Sequence, residues 1–157
     1  MKIVQWRFAQ VQKIVLAVIA LVVGCSSAFA GPKEDALLVV QKWGKAFVES
    51  DVDGILKLYA PNALFFGTGS QTLVTRPEDV RRYFEQALLV NRPKSAEFGD
   101  HTASVISDTV VVVSGLDAAG GVRDGKAYSA KGRVTFVLAK TGSEWLIVQF
   151  HRSALPS

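Results

Sequence analysis

Cysteine is almost missing from this chain. Cys25 is the only one, so no disulfide framework can hold the fold together from within. Imidazoles are nearly as scarce. Only His101 and His151 are present, and no spaced set of His, Cys and carboxylates points to a transition-metal site. Neither a metal nor a cofactor is expected. No Gly-x-Ser-x-Gly elbow occurs. Gly120-Gly121 lies between strand-like segments rather than ahead of a helix, which excludes a phosphate-binding loop. The chain also lacks internal repeats, low-complexity tracts and any linker long enough to divide it.

No apolar run is long enough to cross a bilayer as a helix, which takes about 20 residues. The longest, Ile14 to Val23, reads instead as the core of a secretory signal. Lys2, Arg7 and Lys13 precede it as a positive region without acidic residues, and Ala28-Phe29-Ala30 follows with the small residues a signal peptidase needs. Residues 1–30 are therefore expected to be a signal peptide, and 31–157 one exported domain, periplasmic or secreted. Val22-Val23-Gly24-Cys25 also resembles a bacterial lipobox. Processing there would lipidate Cys25 and tether the domain to a membrane face; the Ala-Phe-Ala site is preferred.

Losing the leader takes the formal charge from +4 to +1. A nearly neutral domain offers no electrostatic argument for nucleic acid or for an anionic membrane, so a membrane is a partner only if Cys25 is lipidated.

The remaining chain reads as helices first and strands after. Leu37, Val40, Trp43 or Gly44, and Phe47 recur at helical spacing, predicting a helix from about Glu34 to Glu49, with Glu34 and Asp35 in the first turn where the helix dipole favours them. Asp51 or Asp53 can cap a second, short helix carrying Val52, Ile55, Leu56 and Tyr59 and stopped by Pro61. Ala63 to Phe66 is a short strand. Thr75 and Glu78 make a capping box for a third helix, whose Val80, Tyr83, Phe84, Ala87 and Leu88 form one apolar stripe. Strands are expected near Glu97–Ile106, Thr109–Leu116, Lys126–Ala139 and Trp145–Ala154, joined by short turns and by a Gly-rich Ala118–Gly125 loop, as an antiparallel meander. This order gives an α+β domain with a sheet packed on helices. Val110 to Val113 is apolar throughout, which predicts cover on both faces, from the helices and from a partner subunit.

Trp145-Leu146-Ile147-Val148-Gln149-Phe150-His151-Arg152-Ser153 through Pro156-Ser157 resembles the end of the calcium/calmodulin-dependent protein kinase II association (hub) domain, and also small bacterial SnoaL-like proteins. Leu116-Asp117-Ala118-Ala119-Gly120-Gly121, Tyr83-Phe84-Glu85 and the order of elements look like the same group, the nuclear-transport-factor-2-like superfamily. The resemblance covers essentially Glu34 to Ser157. It implies a cone, in which a strongly bent antiparallel sheet wraps about three N-terminal helices and leaves a pocket between them. It implies too that the open sheet face pairs with a second copy, giving a homodimer or larger oligomer. Hub pockets carry arginines, and the carry-over here is partial. Arg152 sits in the matching Phe-His-Arg-Ser motif, Phe136 stands where another arginine is expected, and Arg133, three residues away, belongs to the other face of its strand. No charge occurs in Val110–Val113, where a third would lie.

Candidate pocket residues are accordingly Arg152, His151, Arg133, Tyr83 and His101. Arg152 is of the type that clasps a carboxylate bidentately, or forms a salt bridge. His151 is an acid/base type or a structural imidazole at the sheet edge. Asp100-His101 is the one adjacent carboxylate–imidazole pair, yet strand neighbours face opposite ways, so only one of them can meet a pocket. A general base from this pair with Tyr59, Tyr83 or Tyr128 would suit a cofactor-independent cyclase, isomerase or dehydratase acting on a small apolar carbonyl compound. The leading expectation is a non-catalytic oligomeric module that binds a small molecule or a protein.

Overall fold

The structure is a computed structural model and describes residues 31–90, 92–123 and 125–156. The expected signal peptide and Cys25 lie outside the described residues.

The first helix, α1 (Pro32–Glu49), begins with Pro32 in its first turn and carries Glu34 and Asp35 at its positive end. Ser50 closes it in the left-handed conformation at φ 56°, donating its N–H to Ala46 and Phe47 carbonyls. Ala36, Val39, Val40, Trp43 and Ala46 are its buried face, while Leu37 and Phe47 pack at the margin. Asp51 caps α2 (Val52–Leu56) by accepting from the Gly54 N–H at 2.8 Å.

Three sequence expectations need correction here. Tyr59 does not continue α2. It opens β1 (Tyr59–Phe66), because Leu58 and Tyr59 are already tied to the last strand: the Leu58 carbonyl accepts from Ile147 N–H at 2.8 Å, and Tyr59 pairs with Ile147. The Thr75–Glu78 capping box does not form. Arg76 occupies the cap of α3 (Pro77–Phe84) without a side-chain bond to the backbone, and Arg76 instead pairs with Asp79. The helix then widens into one π-helical turn over Glu85–Val90, which still buries Leu88 on the same side as Val80 and Phe84. Finally, the Ala118–Gly125 loop is mostly strand, paired residue for residue as far as Arg123 with Lys126.

Four long strands complete the chain: β2 (Pro93–Ser107), β3 (Val110–Arg123), β4 (Lys126–Thr141) and β5 (Glu144–Ala154). The sheet order is β1-β5-β4-β3-β2. The α+β cone is as expected, a curled and unclosed sheet over helices, but the sheet is mixed: β1 runs parallel to β5 and the others are antiparallel. A parallel partner is possible because the whole of α3 and the meander separates β1 from β5 in sequence.

The inner face packs Phe65, Phe136, Phe150, Val134, Leu138 and Ile147 against α1 and α3, all nearly inaccessible. Trp43 is the hub of this core. Its ring stacks on Phe47 and Phe150 with centroids 5.1 and 5.4 Å away, meets Phe136 edge-on at 5.4 Å, and donates its Nε1–H to Tyr59 Oη at 2.9 Å. Alternation along β3 puts Val111 and Val113 inside. Val110 and Val112 face outward and are only half-buried, so the second cover expected for this strand does not come from the chain itself.

Candidate functional site

Where the sheet curls away from α1 and the end of α3, it leaves a cavity of about 230 Å³. Its walls are aromatic: Trp43, Phe47, Tyr83, Phe84, Phe98, Tyr128 and Phe150. At one end the polar groups are Arg152, Asp117 and Thr68, with Glu97 also lining the cavity. Helical spacing delivers Trp43 and Phe47 from one face of α1, and Tyr83 and Phe84 from α3. Strand alternation delivers Phe150 and Arg152 from the inner face of β5.

Arg152 Nε donates to Asp117 Oδ2 at 2.6 Å, Nη1 to Thr68 Oγ1 at 2.9 Å and Nη2 to the Ala130 carbonyl at 2.8 Å. The two side chains are only 14% and 9% exposed, so this is a largely dry ion pair. Asp117 and Arg152 stand on strands that are not neighbours, since β4 runs between β3 and β5. Gly132, paired with Asp117 on one side and Ala154 on the other, makes the contact possible. A Cβ there would lie 2.7 Å from Asp117 Oδ1 and 2.8 Å from Arg152 Nη2. Asp117 Oδ1 is buried without a hydrogen-bond partner among the described residues.

Tyr83 lies over Gly67, where a Cβ would come within 2.6 Å of the phenol ring. Burial pushes the Tyr83 hydroxyl above its usual range, opposed by hydrogen bonds with the Gly69 and Thr68 backbone and by the Arg152 charge. Thr68 also donates to the Arg152 carbonyl at 3.3 Å, so the loop after β1 is tied to the ion pair from both sides.

Of the residues singled out in the sequence, Arg152 and Tyr83 line the cavity, and so does Tyr128. The other three candidates lie elsewhere. Arg133 is exposed on the outer face opposite Ser153, its Nη2 3.4 Å from the Ala154 carbonyl. His151 is exposed on the same outer face, its ring 6.0 Å from Phe66. His101 is exposed on β2 opposite Gly115, with Nδ1 2.9 Å from the Gly99 carbonyl, and neither it nor Asp100 reaches the cavity. Phe136, at the position where the association-domain resemblance implies an arginine, is fully buried core. Asp117, Thr68 and Glu97 were not among the candidates. Asp117 lies in the Leu116–Gly121 segment that resembles the association domain, but the sequence alone reads it as the end of a strand ahead of a Gly-rich loop.

Comparison with known proteins fits this geometry. The chain resembles a calcium/calmodulin-dependent protein kinase II association domain protein from Xanthomonas campestris, at 26% identity over 79% of this chain and 88% of that one, with a TM-score of 0.73. A nuclear-transport-factor-2-like protein with a cystatin-like fold from Novosphingobium aromaticivorans shares the fold at 12% identity, covering 91% and 89% with a TM-score of 0.68. So does a ketosteroid isomerase-like protein from Erwinia carotovora atroseptica, at 12% identity, covering 82% and 100% with a TM-score of 0.69. No curated protein matches the chain in sequence. The SnoaL-like domain profile matches residues 37–157, which takes in every strand and all but the first turn of α1, and the chain therefore belongs to the SnoaL-like domain family.

Proposed function

We propose that this chain is an exported, non-catalytic module that binds a small molecule in the Arg152–Asp117 cavity and works as a homo-oligomer. The observation that carries the binding reading is the cavity itself, a space lined largely by aromatic rings with one fixed polar end. Such a site holds a ring by apolar contact and orients it by a hydrogen bond. The inner position of both charged groups and the placement of His101 and His151 elsewhere argue for binding rather than turnover.

Export rests on Lys2, Arg7, Lys13, the Ile14–Val23 run and Ala28-Phe29-Ala30. No helix among the described residues is long and apolar enough to cross a membrane. Self-association is supported by the outer face of the sheet, where Val110, Val112 and Val137 stay partly open and Leu64 and Leu116 are exposed, and by the resemblance to an association domain.

Ligand-observed NMR of the purified protein against single-ring aromatic fragments tests the binding reading. Fragments are expected to bind and to lose binding on Ala119→Trp, which fills the cavity. No binder, or binders indifferent to that filling, would overturn it.

A catalytic reading draws on one observation, the unpartnered Asp117 Oδ1 beside the cavity. It requires proton exchange at the α-carbon of a small ketone that disappears in Asp117→Asn. Against it, Oδ1 is buried, lying over the bare backbone of Gly132.

A further inference from the structure

We infer that Asp117 sets the charge this cavity accepts, so that the ligand is an uncharged single-ring aromatic amide or other carbonyl compound and carboxylates are rejected. The inference rests on the binding reading above and adds a specificity-determining residue to it.

Of the five N–H groups of the Arg152 guanidinium, one each on Nε, Nη1 and Nη2 is engaged by Asp117, Thr68 and Ala130. The Nε edge, one of the two that clasp a carboxylate in parallel, is closed by Asp117. An N–H remains on each terminal nitrogen, enough to donate to a neutral carbonyl.

Charge decides the rest. Of the charged residues lining the cavity, Arg152 and Asp117 form a buried pair of no net charge, while Glu97, opposite Ala118, alternates to the outer side of β2 and is exposed. An incoming carboxylate would meet a guanidinium already neutralised, and would sit beside the largely buried Asp117 carboxylate. Like charges sharing such a site repel, and the desolvation of the newcomer is not repaid. An amide or ketone brings a carbonyl acceptor without that penalty.

Size fixes the number of rings. About 230 Å³ lies below the roughly 300–1,000 Å³ of sites for drug-sized ligands. Trp43, Phe98 and Phe150 supply rings for one aromatic group to pack against.

The test compares benzamide, benzoate and benzylamine, matched in ring and nearly so in shape, by calorimetry or ligand-observed NMR on the purified protein. Wild type is expected to prefer benzamide over benzoate by roughly tenfold or more. Asp117→Asn is expected to raise benzoate affinity by about the same factor and to leave benzamide within a few-fold. Circular dichroism checks that the variant folds, and the wild-type ratio needs no variant. Benzoate or benzylamine binding wild type as tightly as benzamide overturns the charge rule while leaving the pocket reading intact. Binding of none of the three by either protein removes both.

Discussion

Arg152 Nε and Asp117 Oδ2 meet at 2.6 Å across an intervening strand, over the bare backbone of Gly132. Three strands thus converge on one polar contact at the end of an otherwise aromatic cavity. Removing one partner strands the other in a nearly dry place. Arg152→Met is expected to cost roughly 3 kcal/mol of stability in urea unfolding. Adding Asp117→Asn should recover most of that loss, because the orphaned charge is gone; a double mutant as unstable as Arg152→Met alone would show that the pair is not coupled.

Gly132→Ala places a methyl against both members of the pair, 2.7 Å from Asp117 Oδ1 and 2.8 Å from Arg152 Nη2. The pair must part or the strand must shift, at about 1–3 kcal/mol. Thermal denaturation reads the loss. A neutral outcome, with the midpoint unchanged, would mean that Asp117 and Arg152 do not cross β4 as described.

Burial holds the Tyr59 hydroxyl well above the usual tyrosine range, outweighing the lowering effect of the hydrogen bond from Trp43. In the unfolded chain the same phenol ionises near pH ~10. The folded state therefore binds the extra proton above that pH, and stability falls as pH rises past about 10. Tyr83 acts in the same direction. Tyr59→Phe should lose about 1 kcal/mol at neutral pH, with Trp43 Nε1 left unpaired, and show a shallower alkaline decline than wild type. Parallel declines in urea melts at pH 9 to 11 would refute the assignment.

Val112 lies on the outer face between Ser104 of β2 and Val137 of β4. Val112→Lys is expected to convert an oligomer into monomers in sedimentation velocity while leaving the thermal midpoint of the monomer fold nearly unchanged. Wild type that is cleanly monomeric at micromolar concentration would remove the self-association reading.

Mass spectrometry of the exported protein decides its anchorage. An N-terminus at Gly31 is expected from the Ala28-Phe29-Ala30 site. A lipid-modified N-terminus at Cys25 would place the same domain on a membrane face.

The sequence by itself determined the element types and their order. The spacing of Val40 and Trp43 or of Val80, Phe84 and Leu88 is a local property that survives into the core, and alternation along β4 separates Arg133 from Phe136 with no knowledge of neighbours. Local signals misled where a long-range partner outbid them. Tyr59 fits a helical stripe but is claimed by Ile147, and Gly120-Gly121 reads as a loop but pairs with Ser129 and Tyr128. Only the tertiary structure decided the site. Asp117, Gly132 and Arg152 carry no common spacing, and their meeting depends on strand order, on register and on a missing Cβ, none of which a linear pattern encodes.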